Sequence, residues 1–501
     1  MGIQKSITGQ KSMNGLLLGS IIILSAILRF YDLGGESYWY DEIIMVRVAQ
    51  DNIWTIIEGA RPPLYIILAH FWIKLFGAEE VATRSLSAIF GVASIPVIYL
   101  LGRELFNRRV GLIGAFLMAV SQFQIYYSQD FRYYSLFVLT TLLSFYFFII
   151  ALRKRTITNF IFYVLFAILL FYTHAFGVFI IFAQNLYLFL RWYTYRGLKI
   201  HWITSQAVIL AAVVPRIINS VQNVVEGKAG PMNWLPDPSL LAPLITLRNF
   251  IGAGLDYPSW KTVITGGGFF VAATATYIYW RGKDEWMTSL RDFSAGFKGM
   301  ISKRNEFLLL VIWISIPLLL PLVLSKIFGP MYHDRYMIGA SPAFYLILAF
   351  LLTKFRRVVP ESVMLGFLVI IITPGLFDFY ASPVREQWRE AAKYVEHESM
   401  NDEVIIFAES GSDQNRVTFN WYYKGYLSEC GINKNLKNYA DIDKEFVKCI
   451  KKLGRFWLVV REVPYPAPYL TEYFLNNTKR NIKLITERRF TKITVYLFQM
   501  M

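Results

Sequence analysis

The chain has 501 residues, 55% of them hydrophobic, 17% aromatic and only 17% charged, with a net charge of +16. A soluble chain this long would need about three domains of ~150 residues, and no soluble core absorbs this apolar content. Much of the Lys and Arg flanks apolar runs, which fits membrane anchoring better than a nucleic-acid partner.

The first apolar run, Leu16 to Phe30, follows Lys5 and Lys11 like a signal peptide. No small-residue cleavage site precedes the acidic residues after it, so it reads as a first span. Further spans are expected near 85–101, 110–126, 133–152, 159–173, 176–190, 203–218, 262–280, 307–327, 337–353 and 362–379. With 15–31 that makes about eleven. Five successive basic clusters then fall on one side: Arg103/Arg108/Arg109, Arg153-Lys154-Arg155, Arg191/Arg196/Lys199, Arg281 to Arg304, and Lys354/Arg356/Arg357. The positive-inside rule puts that side and the N-terminus in the cytoplasm.

The opposite face carries the chemistry. Its first loop, Tyr31 to about Arg84, opens on Tyr38-Trp39-Tyr40-Asp41-Glu42. A carboxylate pair at the mouth of a span is costly and asks for a reason. Asp41 is expected to act as a general base, although capping of a helix would account for one of the two acids. Apolar residues at helical spacing between Pro63 and Phe76 predict an amphipathic interfacial helix, with Ile43 to Ile57 as a second. Arg61-Pro62-Pro63 fixes the start of the first of these, aiming Arg61.

The next outer turn, Tyr126 to Tyr134, holds Tyr127, Asp130 and Arg132. The loop Asn219 to Lys261 has the composition of a lid. The last outer turn is His333-Asp334-Arg335-Tyr336. Acids beside clustered arginines suit transfer from an anionic leaving group: a carboxylate takes a hydroxyl proton and guanidinium groups hold a phosphate. Headgroup anchoring explains any single arginine equally well. His70, His174 and His333 sit on the same face. With Asp130 or Asp334 they offer ligands for a divalent metal, and each alone reads as an interfacial side chain without one.

After Pro383 charges rise and long apolar runs end. Glu403 to Phe407, Arg455 to Val460 and Lys492 to Phe498 read as strands, and Asp441 to Lys452 as a helix. The expected division is a transmembrane domain, 1–383, and a small extracytoplasmic α/β domain, 384–501. The latter holds both cysteines, Cys430 and Cys449, which can pair if it is exported.

In order and spacing, Tyr38 to Glu42, Arg61-Pro62-Pro63-Leu64-Tyr65, Tyr127-Ser128-Gln129-Asp130-Phe131-Arg132-Tyr133, and Arg335-Tyr336 ahead of Pro342 resemble the GT-C glycosyltransferases. The chain is most similar to the branch of protein mannosyltransferases and aminoarabinose transferases, over roughly residues 16–350. The resemblance implies a polytopic helical fold and a multi-pass enzyme of the cell membrane working on the extracytoplasmic face. It implies a polyprenyl- or dolichyl-phosphate sugar as donor and an inverting displacement onto an acceptor not legible here, whether protein, lipid or glycan. Asp41 would be the base and Asp130 would support the acceptor or a metal. Arg61 and Arg335 would hold the donor phosphate, with Glu42, Tyr127, Arg132 and Tyr336 lining the substrate site. Asp130 and His174 are the expected metal ligands if one binds. An oligosaccharide ligase using a diphosphate-linked glycan and a lipid-sugar flippase are the rival readings. A flippase, however, would place its ionisable groups in the middle of spans.

Overall fold

The computed structural model describes residues 2–59, 61–226, 235–252, 303–355, 361–409, 413–450, 454–462, 467–476 and 481–500. They form two compact units: 1–31 with 49–378, and 32–48 with 379–501.

The first unit is a helical membrane bundle. Outside 262–280, which lies beyond the described residues, the expected spans coincide with helical segments, 110–126 being split at Ser121 into two helices. Six helices among the described residues are long and apolar enough to cross a membrane, or seven if the bent pair Arg108–Val120 and Gln122–Ser128 counts as one span. Ile157–Thr173 and Gly177–Leu190 are shorter apolar helices. The protein is thus a multi-pass membrane protein. A helix satisfies its own backbone, which lipid requires.

Small residues bring the helices close. A Cβ on Gly102 would lie 2.9 Å from the Cα of Gly111 on the next helix, the close approach that glycine permits between membrane helices. Phe145 stacks on Trp313 at 3.8 Å, and the Trp313 indole donates to the Gly339 carbonyl at 2.9 Å.

The helix expected from Pro63 to Phe76 is present, with Pro63 in its first turn, where a missing N–H costs nothing. The second expected helix, Ile43 to Ile57, is instead two: Tyr40–Gln50 and Ile53–Glu58. Asn52 caps the latter, accepting from Trp54 N–H at 2.9 Å. A capping asparagine starts a new helix and so ends the old one.

The second unit is a five-stranded sheet covered by helices on both faces. Its strands are β1 (Val404–Glu409), β2 (Ser428–Asn433), β3 (Arg455–Arg461), β4 (Ile482–Phe490) and β5 (Ile493–Met500), in the order β2-β1-β3-β5-β4. The β1 pairings to β2 and β3 are parallel, whereas β5 is antiparallel to β3 and β4. Ile405, Phe407, Trp457, Val459 and Val495 pack under the helices Trp388–Glu398 and Gln414–Tyr422. Ile406, Leu458 and Phe498 pack under Tyr439–Cys449 and Pro468–Asn476. Strands buried on both faces read as continuous apolar runs, which is why β1 and β3 are visible in the sequence; β5, whose alternation predicts a half-buried strand, is buried on both faces instead. Cys430 and Cys449 form a disulfide between β2 and the helix Tyr439–Cys449. The compact units divide at Asp378/Phe379 rather than 383/384, and the second takes in the first-loop segment 32–48.

Candidate active site

In the membrane unit the site is built around the turn that follows the bent pair. The chain breaks by 61° at Ser121, whose hydroxyl accepts from Gln124 N–H at 3.3 Å. A break strands carbonyls that lipid cannot satisfy. Arg29, fully buried at the end of the first helix, meets them. Its guanidinium donates to Ala119 O at 2.9 Å, Met118 O at 3.0 Å, and Ser128 Oγ at 3.2 Å. Gln129 returns the support, donating to Tyr31 O at 2.8 Å. A Cβ on Gly91 would lie 2.3 Å from Ser128 Oγ and 2.9 Å from Arg29 Nε, so this latch needs glycine on the neighbouring helix.

The turn itself is pinned by Ser87, whose hydroxyl donates to Arg132 O at 3.0 Å and bonds Tyr65 at 2.7 Å. The Tyr65 ring lies 5.7 Å from Phe131. Asp130 is thereby held buried, at 1% exposure.

Two arginine–tyrosine pairs then converge on one histidine. Arg132 lies over the Tyr133 ring at 4.9 Å, and Arg335 over the Tyr336 ring at 5.3 Å, each a cation–π contact. Between them His174 stacks on Phe137 at 4.8 Å, 5.0 Å from Tyr133 and 5.5 Å from Tyr336. Tyr127 packs behind, 5.0 Å from Tyr134. Burial first, then the charges of Arg132 and Arg335, push the His174 pKa down to about 3. Its Nδ1 accepts from Phe176 N–H at 3.0 Å, so the neutral ring carries its proton on Nε2 and presents a donor. Two guanidiniums and an imidazole N–H on one aromatic patch form a setting for an anion.

The expected metal set does not assemble. Among the described residues no three His, Cys, Asp or Glu side chains group to hold an ion. With Nδ1 already accepting, Nε2 would have to lose its proton to bind a metal, forming an anionic ring. Nearby arginine charge further disfavours a cation. His70 bonds Ala49 O at 2.8 Å, and His333 lies 2.6 Å from Asp334 Oδ1. Asp334 is held by Arg335 N–H at 2.7 Å and Asn249 at 3.0 Å. Arg61 is exposed just ahead of its helix, and its carbonyl accepts from Arg216.

Asp41 and Glu42 lie in the second unit, in the first turn of Tyr40–Gln50. Their environments differ sharply. Asp41 is partly exposed and Glu42 fully buried. Glu42 reaches back to Trp39 N–H at 3.4 Å, the reciprocal half of a capping box. Both its oxygens lie 3.3 Å from Arg385 Nη1. The cap considered for one of the acids is therefore Glu42, whose carboxylate is also held against Arg385. Sequence reading missed Arg29 and Arg385. An arginine ending an otherwise apolar span was the available signal for the first; nothing local marks the second.

Residues 60–218 match the family of dolichyl-phosphate-mannose-protein mannosyltransferases. No curated protein matches the chain. Among solved structures it is similar to ArnT from Cupriavidus metallidurans in the apo state, with TM-score 0.52, 12% identity and 98% of each chain covered. The same enzyme bound to undecaprenyl phosphate gives 0.51 and 13%. The oligosaccharyltransferase of Archaeoglobus fulgidus, in complex with Zn and sulfate, gives 0.52 at 13% identity, covering 96% of this chain and 72% of that one. The chain has the GT-C glycosyltransferase fold. The resemblance read from the motifs is thus met by the family match and by the fold.

Proposed function

We propose that the protein transfers a sugar from a polyprenyl- or dolichyl-phosphate carrier to an acceptor hydroxyl on the extracytoplasmic face, with inversion. Asp41 takes the hydroxyl proton, and the freed oxygen forms the new bond to the anomeric carbon. The bond from that carbon to the phosphate oxygen breaks, and polyprenyl phosphate leaves. Arg132 and Arg335 hold the departing phosphate, His174 donates to it through Nε2, and Tyr127, Tyr133 and Tyr336 line the sugar. Asp130 orients the acceptor, and Arg61 adds positive charge to the phosphate's approach.

The observation that carries this reading is the convergence of both arginine–tyrosine pairs on His174. The undecaprenyl phosphate bound to ArnT and the dolichol-phosphate bound to the archaeal AglB oligosaccharyltransferase support the donor class. The basic clusters on one side support the orientation, as does a disulfide in the second unit, a feature of oxidising compartments. This reading routes no step through a metal, because the His174 tautomer and the arginine charge beside it disfavour a cation there.

The test is turnover by purified protein in nanodiscs across a panel of polyprenyl-monophosphate sugars. Asp41→Asn should lower kcat by about 10²–10⁴-fold, the usual weight of general-base catalysis. Binding of undecaprenyl phosphate should be unchanged. A chelator should leave turnover intact. Turnover of a diphosphate-linked glycan alone would replace this reading with the ligase.

A further inference from the structure

The mechanism assigns no work to the sheet unit beyond carrying Asp41. We propose that Arg385 is a positioning residue for the reaction: it clamps the helix that bears Asp41, so that the C-terminal domain sets the geometry of the base. This rests on the reading of Asp41 above.

The clamp is buried and two-pronged. The Arg385 side chain is 4% exposed and that of Glu42 is 0% exposed. One prong is Nη1 on both Glu42 oxygens at 3.3 Å. The other is Nε at 3.4 Å from Glu36 Oε2, while the backbone N–H of Arg385 donates to Glu36 Oε1 at 3.0 Å. Two acids six residues apart on the first-loop segment are thus tied to one residue 343 positions from Glu42. Independent ties flank it. The Ser37 hydroxyl donates to Glu386 O at 3.1 Å, and the Tyr38 backbone N–H donates to the Tyr422 hydroxyl at 2.6 Å.

Asp41 is one peptide bond from Glu42 on the first helical turn. Fixing the Glu42 carboxylate and the Tyr38 backbone leaves that turn little freedom, so the direction of the Asp41 side chain is set by its rotamer alone. A partly exposed carboxylate on an untethered loop would have no such definition. General-base catalysis requires it, because the carboxylate must lie within hydrogen-bond reach of the proton it takes. A buried arginine facing two acids also explains why an acid pair stands at this motif: one member does the chemistry and the other holds it in place.

The test uses the full-length protein in nanodiscs, comparing Arg385→Met, Arg385→Lys and the double variant Arg385→Met/Glu42→Gln. Hydrogen exchange of Tyr40–Gln50, undecaprenyl phosphate binding and turnover of undecaprenyl-monophosphate sugars are measured together. Arg385→Met should speed exchange across Tyr40–Gln50 by about tenfold or more, as loss of a local tie does. It should cut kcat about thirtyfold, with donor KM and undecaprenyl phosphate binding within about twofold. Arg385→Lys, which keeps the charge but not the fork, should fall between. If Arg385→Met does not fold because it strands the Glu42 charge, the double variant removes that charge and carries the comparison.

Wild-type exchange and wild-type kcat in these variants would overturn the clamp. So would a fall in undecaprenyl phosphate binding parallel to kcat, which marks general loss of structure. Should Asp41→Asn turn over at the wild-type rate, the base assignment falls, while the exchange data still decide whether Arg385 holds the helix.

Discussion

Two buried arginines hold the two acid-bearing segments, and they do so in different media. Arg29 holds the turn before Asp130 through carbonyl and hydroxyl oxygens of Met118, Ala119 and Ser128. Arg385 holds the helix of Asp41 through the carboxylates of Glu42 and Glu36. In a lipid-embedded bundle the pressing need is to satisfy carbonyls freed by a broken helix, because no water reaches them. In the sheet unit there is no such debt, and a charged pair fixes one loop segment in one place. The same side chain therefore repairs backbone in one region and specifies position in the other.

Arg29→Leu should break the first arrangement most severely. It leaves two buried carbonyls without their donor, at ~1–3 kcal/mol each. Thermal unfolding in detergent should show a large loss of stability, and undecaprenyl phosphate binding should fall with it. Hydrogen exchange of Tyr40–Gln50 should be unaltered, the reverse of the Arg385 pattern. Equal effects of Arg29 and Arg385 variants on both readouts would erase the distinction.

Gly91→Ala is a gentler probe of the same latch. The added methyl would meet Ser128 Oγ and Arg29 Nε, and overpacking of this kind costs ~1–3 kcal/mol. The expected outcome is a lower thermal midpoint and a several-fold loss of turnover, with exchange in the sheet unit unchanged.

The smallest effect concerns pH. His174 has an ordinary value of 6.5 and a folded value of about 3. Its unfolded form therefore binds more protons between those values. The stability it contributes is whole above pH 6.5 and is lost as pH falls from 6.5 towards 3. The slope of thermal midpoint against pH in that window should be shallower in His174→Gln. An unchanged slope would mean that the imidazole is not buried neutral beside Arg132 and Arg335. Turnover between pH 6.5 and 8 should show no ionisation from this residue.

What the sequence made legible around the candidate residues is local. The aromatic-acid motif at Tyr38 to Glu42, the Arg61-Pro62-Pro63 helix start and the turn around Asp130 are each read from a few adjacent residues. The central strands β1 and β3 are apolar on both faces and declare themselves, whereas β5 is legible by its alternation and is more deeply buried than that alternation predicts. The edge strands do not. Ser428 to Asn433 and Ile482 to Phe490 mix polar and apolar residues, and they are strands because a neighbour offers a ladder. The break between Tyr40–Gln50 and Ile53–Glu58 was available in the capping preference of Asn52, but continuous apolar spacing outweighed it. The tautomer of His174 is set by a backbone N–H two residues away, which no side-chain pattern announces. The roles of Glu42 and Arg385 depend on one another across the length of the chain, and no pattern in either neighbourhood announces that.

That separation has a consequence for how the enzyme comes into being. The segment bearing Asp41 leaves the ribosome among the first fifty residues, whereas its clamp is made some 343 residues later. At about 5–20 residues per second, that segment spends tens of seconds without its partner while the bundle inserts. Arg29, only 90 residues from Ala119, can close its latch far earlier. The latch around Arg29 can therefore close while the chain is still being made, whereas the helix of Asp41 is tied down only when the last quarter folds. A chain ending ahead of Arg385 would keep the latch and lose the tie.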